Sequence, residues 1–300
     1  VTARRHNEEG PVGAVPLAPP AGGRIAAVIH LLRPRQWIKN IFVLAPLLFS
    51  SQFHHAPSVL LALGATAIFT LASCVVYVLN DLHDVAADRQ HPTKRLTRPL
   101  ASGALPMSAG WSLLSVLVVA FAAAAAAFPA ILPLVAAYIA LNVGYSLRLK
   151  HVPVVDLFCI AAGFVLRVYT GAVAIAVPLS SWMLVTTLAL ALYLAAIKRR
   201  EELGRSGSGA RAVLGTYSNG LLDKYAIISA ASAIVFYSLF VMTVRPAMVS
   251  TIPFVLFGLF RYWYIVESNG VGESPTDALW RDVPLILTIV GWGALCAVHL

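Results

Sequence analysis

Long apolar runs separated by short polar stretches recur along the whole chain. A helix crossing the hydrocarbon core needs about twenty apolar residues. By that rule nine spans are predicted, near 36–53, 58–79, 109–128, 131–149, 154–176, 180–198, 225–244, 247–266 and 283–300. The first has a short apolar core, because Lys39 and Asn40 fall inside it. The fold class is therefore all-α, a polytopic membrane protein built as a nine-helix bundle over residues 24–300. Residues 1–23 are polar, rich in Pro and Gly and without periodicity, and are expected to be a disordered tail. No charged, short-apolar and small-residue pattern of a signal peptide precedes the spans, so no cleaved leader is expected.

Composition agrees with that pattern. Hydrophobic residues make up 59% of the 300 and charged residues 12%, and the mean hydropathy is +0.80, values outside the range of soluble domains. Lys and Arg concentrate before the first span and after the second, fourth, sixth and eighth, with Arg167 and Arg245 standing out as exceptions. Cytoplasmic loops carry the excess of cations, so these loops and the N-terminus are expected to be cytoplasmic, in an inner (plasma) membrane. All 13 Asp and Glu fall on the same side. Orientation does not require that, and chemistry done at that face is the simplest account. Cys74, Cys159 and Cys296 lie in apolar helix sequence without metal spacing and read as small buried hydrophobes. His54 and His55 sit on the side without carboxylates and read as interfacial residues.

The polar stretches carry the candidate chemistry. Tyr77-Val-Leu-Asn-Asp-Leu-His-Asp-Val-Ala-Ala-Asp88 follows the second span. In a continuous helix Asn80, Asp84 and Asp88 would share one face, with Asp81 and Tyr77 beside it. Oxygen side chains crowded in this way repel one another unless a cation sits among them, and oxygen-only ligands suit Mg²⁺ bridging to a substrate phosphate. The plain alternative is a solvated acidic helix end. Arg89, Lys94, Arg95 and Arg98 follow directly, where Pro92 and Pro99 prevent a continuous helix. That arrangement suits a loop folding over a metal-bound polyphosphate.

Lys39, in Arg33-Pro-Arg-Gln-Trp-Ile-Lys-Asn40, lies in an apolar run where its charge needs an anionic partner or a route to the interface. A second polar patch runs from Tyr145 through Lys150 to Asp156, with Pro153 breaking the backbone and Asp156 opening the fifth span. Asp156 and Arg167 are eleven residues apart, about 1,100° of helical rotation, so they point the same way with Arg167 about 16 Å deeper. An Arg at that depth faces a water-filled cavity, a bound anion or backbone carbonyls. The predicted result is a polar pocket entering the bundle from the cytoplasm. A third cluster, Lys198-Arg-Arg-Glu-Glu-Leu203, precedes a Gly/Ser-rich linker and Tyr217-Ser-Asn-Gly. The acidic loop 267–282 gives no role from chemistry alone.

With these residues in view the chain resembles the UbiA superfamily of intramembrane transferases, whose N-D-x-x-D-x-x-x-D signature is matched by Asn80, Asp81, Asp84 and Asp88. Within it the likeness is to the branch of decaprenyl-phosphate phosphoribosyltransferases, on the R-P-R-Q-W-x-K-N, D-R-x-H-P-T-K-R and K-R-x-x-E-L motifs that begin at Arg33, Asp88 and Lys198. Prenyl-diphosphate-using members usually carry a second aspartate cluster after the fourth helix, where this chain has Asp156 alone.

The resemblance implies a Mg²⁺-dependent pentosyltransferase. It would move 5-phosphoribose from 5-phosphoribosyl 1-diphosphate to a polyprenyl phosphate, giving a lipid-linked pentose for cell-wall arabinan. It implies Asn80 and Asp84 as metal ligands and Asp81, Asp84, Asp88 and Asp156 as catalytic carboxylates. The implied substrate-binding residues are Lys39, Tyr77, Lys94, Arg95, Tyr145, Lys150, Arg167, Lys198 and Arg199. The nearest rival is a prenyltransferase acting on an aromatic or haem acceptor through the same metal site. A transporter would instead string ionisable groups through the midplane to the far side, and Arg167 alone is read as buried there. The lipid bilayer is an expected partner and nucleic acid is not. Membrane enzymes of this size often form homo-oligomers, but nothing in the pattern sets a stoichiometry.

Overall fold

The computed structural model describes residues 23–91, 93–206, 212–269 and 282–300. All but Gly23 of the expected tail, Pro92, part of the Gly/Ser-rich linker and most of the acidic 267–282 loop lie outside the described residues. The described regular structure is helical throughout. Seven segments are long and apolar enough to cross a membrane: Ala56–His83, Met107–Ala125, Pro129–Leu147, Val155–Ala174, Ser181–Gly204, Asn219–Val244 and Pro246–Ser268. The chain is a multi-pass membrane protein.

In chain order the helices are α1 (Gly23–Leu32), α2 (Pro34–Trp37), α3 (Ala45–Phe49), α4 (Ala56–His83), α5 (Val85–Gln90), α6 (Lys94–Thr97) and α7 (Met107–Ala125). There follow α8 (Leu132–Leu147), α9 (Val155–Ala174), α10 (Ser181–Ser206), α11 (Asn219–Val244), α12 (Ile252–Asn269) and α13 (Val283–His299). Helix α4 packs on α7, α8 and α9, and α9 continues the contact to α10, which pairs along its length with α11. Helix α13 packs on α12 and touches α3. The buried interior falls into several apolar clusters rather than one. The first gathers Ile68, Phe69 and Val76 of α4 with Ile131, Val135 and Tyr138. Another joins Tyr193 and Ile197 to Leu259 and Tyr262.

The first predicted span is not one helix. Between α2 and α3 the backbone tightens into a 3₁₀ segment, Ile38–Leu44. Pro46 has no N–H to offer Phe42, and the Ala45 N–H takes the Phe42 carbonyl instead, so the ladder changes register there. This tight segment lies on α9. A methyl group at Gly171 of α9 would collide with the Val43 carbonyl oxygen, so glycine is what lets the two backbones meet. The acidic stretch also departs from a single helix. Helix α4 ends at His83, Asp84 takes φ −88° and ψ 3°, and α5 starts at Val85. Asp84 thus sits at a bend, and the face expected to carry Asn80, Asp84 and Asp88 is broken there.

Arg261 lies within a predicted span and is a further exception to the charge pattern. Its guanidinium meets the Asp282 carboxylate at 3.0 and 2.8 Å. Asp282 also accepts the Leu285 N–H as the N-cap of α13, and the Arg261 hydrogen bond holds its carboxyl below the ordinary range. These contacts give one residue of the acidic loop a structural role, while Glu273, Asp277 and Arg281 lie outside the described residues. Arg200 of α10 joins Asp223 of α11 and Glu267 of α12, each at 2.7 Å.

The close approach at Gly171 makes a direct test. Gly171→Ala is expected to destabilise the protein by about 1–3 kcal/mol, as overpacking does, read as a lower Tm in detergent. Gly293→Ala, where a methyl would meet nothing, should leave Tm unchanged.

Candidate functional site

The polar motifs fold onto one another where α4, α8, α9 and α10 end or begin. Asp81, on the last turn of α4, is buried, and its Oδ1 accepts from both Arg33 and Arg98. Arg33, in a left-handed conformation at φ 54°, also lies over the Tyr77 ring at 5.2 Å. Asp81 therefore ties the N-terminal segment and the loop after α6 to α4. Asp88 is buried and meets the Lys94 ammonium at 3.0 Å. Asn80 Oδ1 accepts from the Ser146 hydroxyl of α8 at 2.7 Å.

Asp84 differs from these two aspartates. Its side chain is 31% exposed, against 5% and 6% for Asp81 and Asp88. One oxygen faces His83 Nδ1 at 3.0 Å and Lys150 Nζ at 3.5 Å. Lys150 stands on the 3₁₀ turn Leu149–His151 between α8 and α9, as the sequence predicts.

Asp156 and Arg199, both expected to act directly on substrate or reaction, form a buried pair. Arg199 Nε donates to Asp156 Oδ2 at 2.7 Å, and the Tyr217 hydroxyl donates to Asp156 Oδ1 at 2.7 Å. The same guanidinium donates to Tyr145 Oη and to Glu202. Asp156 and Arg199 side chains are 0% and 1% exposed. Burial pushes the Tyr217 hydroxyl above the ordinary phenol range, so it stays a donor.

Deeper in the bundle, Arg167 is buried with no carboxylate partner among the described residues. Its Nε donates to Asn40 Oδ1 at 2.9 Å, and its other nitrogens reach the Gly163 carbonyl at 2.8 Å and the Tyr138 hydroxyl at 3.1 Å. The Phe69, Tyr138 and Phe164 rings lie 4.8 to 5.4 Å from the guanidinium carbon. Lys39 is half-buried, within electrostatic reach of Lys198, Arg167 and Arg33. Its ammonium has no hydrogen-bond or ion-pair partner among the described residues. Lys198 stands 3.9 Å from Glu202. Arg95 is exposed and does not join the cluster.

Comparison with known proteins meets this geometry. The UbiA prenyltransferase family matches residues 40–276. The chain belongs to that family. Two similar relatives are each named decaprenyl-phosphate phosphoribosyltransferase. The one from Mycolicibacterium smegmatis is 33% identical over 93% of this chain and 94% of its own length. The one from Corynebacterium glutamicum is 31% identical over 88% and 84%. A UbiA homolog from Archaeoglobus fulgidus, solved bound to GPP and Mg²⁺, superposes with a TM-score of 0.66 over 91% of this chain and 96% of its own, at 19% identity. That last likeness establishes a UbiA fold.

The donors present determine which metal this UbiA-family chain could hold. Among the described residues no three His, Cys, Asp or Glu side chains converge to form an all-protein cage. Mg²⁺ does not need one, because it keeps waters and shares its shell with substrate phosphates. Asn80 and the half-buried Asp84, four residues apart at the bend, fit that role. Asp81 Oδ2 is buried and accepts no hydrogen bond among the described residues.

The sequence motifs contained Arg33, Asn40 and Arg98 without marking them as partners of Asp81 and Arg167. Tyr138, Ser146 and Tyr217 carried no spacing signal at all, since their partners lie 29 to 66 residues away.

The buried pair predicts a specific stability pattern. Arg199→Met strands the Asp156 charge and should cost about 3–5 kcal/mol, whereas adding Asp156→Leu should recover most of that loss. Thermal unfolding of the purified variants checks both.

Proposed function

We infer that this protein transfers 5-phosphoribose from 5-phosphoribosyl 1-diphosphate to a polyprenyl phosphate, decaprenyl phosphate being the acceptor its relatives' names carry. The observation that carries the reading is the unequal treatment of the aspartates. Three of the four are taken up by arginine or lysine, and Asp84 alone keeps substantial exposure, beside Asn80 and Lys150. A single metal-bound diphosphate needs one such opening, not two facing clusters. Arg167, bonded among the described residues to neutral acceptors, adds positive charge for phosphate and ribose oxygens.

In this reading Asn80 and Asp84 hold Mg²⁺, which when bound offsets the negative charge that builds on the departing diphosphate. Lys150, Lys39 and Lys198 bind phosphate oxygens, and Tyr77 and Arg167 shape the donor pocket. Asp81, Asp88 and Asp156 hold Arg33 with Arg98, Lys94 and Arg199 in place, and act through them rather than on the reacting atoms. An acceptor phosphate oxygen forms a bond to ribose C1 as the C1–O bond to diphosphate breaks, with inversion at C1. The acceptor is already an anion at neutral pH, so no strong general base is required. The lipid comes from the bilayer and the donor from the cytoplasm. The N-terminus and the polar mouth face inward across a plasma membrane, and residues 24–300 make the transferring unit. The broken 36–53 stretch and α13 complete nine crossings. The product is a lipid-linked pentose of the kind that cell-wall arabinan synthesis consumes.

Purified protein given radiolabelled donor, decaprenyl phosphate and Mg²⁺ should yield labelled lipid, and a prenyl diphosphate should not replace the donor. Asp84→Ala should lower the rate by more than about a hundredfold with expression and Tm preserved. Near-normal turnover would remove Asp84 from the metal site.

A further inference from the structure

Tyr217 lies in no motif that marks the site, yet its hydroxyl stands at the base of the turn that presents Lys150. Its ring is buried with Val213 and Leu222, in the segment that leads into α11. The hydroxyl donates to Asp156 Oδ1 at 2.7 Å and accepts the Val154 N–H at 2.6 Å. Val154 takes φ 69° and ψ −46°, a conformation that β-branched residues rarely adopt and that persists only where the surroundings hold it. Tyr217 supplies the acceptor for the N–H at that strained position.

The other stem of the turn is fixed as well. Arg199 donates to Tyr145 Oη, five residues before Lys150, and to Asp156, six residues after it. The Lys150 turn is therefore gripped on both sides by groups from α10 and the segment after it. Among the described residues Lys150 makes one polar contact, to Asp84 at 3.5 Å.

We propose that Tyr217 is a positioning residue for the transfer reaction, its hydroxyl pinning Val154 and Asp156 so that the intervening turn holds the Lys150 ammonium beside Asp84. The proposal rests on the functional reading above, through the role given to Lys150. Removing the hydroxyl leaves the ring packing intact but frees Val154 to relax towards an extended backbone. The Lys150 ammonium then shifts away from the donor's phosphates. A displacement of about 1 Å in a positioning group can reduce turnover up to a hundredfold.

The test is a double-mutant cycle with Tyr217→Phe and Lys150→Met, reading kcat/KM for the donor and Tm for each variant. Tyr217→Phe should lose about ten- to a hundredfold in kcat/KM, with Tm lowered by about 3–10 °C, the cost of one hydrogen bond to a buried carboxylate. In the Lys150→Met background the same change should cost less than about twofold, because the group it positions is gone. Three results would overturn the proposal: full activity in Tyr217→Phe, an equal loss in both backgrounds, or a collapse of Tm that tracks the loss of activity. Full activity in Lys150→Met would instead overturn the reading of the site itself, and this proposal with it.

Discussion

A charge inside an apolar bundle is tolerated only with a partner, and in this protein the partners decide which groups remain for a ligand. The Asp156–Arg199 pair is the clearest case. Both members are almost completely buried, and each is held by further hydrogen bonds to Tyr145, Tyr217 and Glu202. Removing one member would leave an uncompensated charge, so the pair locks the start of α9 to α10. The same logic binds Asp81 to Arg33 and Arg98 and Asp88 to Lys94. With those charges matched internally, Asp84 is left partly exposed beside Lys150.

This division explains how an acid-rich motif serves a reaction in which phosphate anions must approach. Four free carboxylates would repel a diphosphate. Here the aspartates that pair with arginine and lysine contribute structure, tying the N-terminal segment and the loop after α6 to the end of α4, and the start of α9 to α10. Arg167 extends the positive field into the bundle, its charge spread over three aromatic faces and three neutral acceptors. Asn40, which accepts from it, is brought there by the 3₁₀ segment that Gly171 allows to lie on α9.

Much of this was legible in the amino-acid sequence, because hydropathy is a one-dimensional signal. The long helices lie where apolar runs predict them, and the Lys150 turn follows from Pro153. The broken first span was half-visible in Lys39, Asn40 and Pro46, but the register change depends on which carbonyls find partners. The bend at Asp84 was not visible, since i, i+4, i+8 spacing assumes that the helix continues. Pairing was the least legible layer. Asp156 looked like an active-site acid beside a cationic motif, and only the fold shows that Arg199 and Tyr217 enclose it. Charge type can be read along a chain, whereas the identity of a partner tens of residues away is set by helix packing.

The proposed function requires a divalent cation held at the bend of α4, with the donor's diphosphate against it. Anomalous diffraction from crystals grown with Mn²⁺ and 5-phosphoribosyl 1-diphosphate tests this most directly. A manganese peak at coordination distance from Asn80 and Asp84, with diphosphate density reaching Lys150, is the predicted result. A peak centred on Asp156, or donor density away from the Asp84 bend, would contradict it.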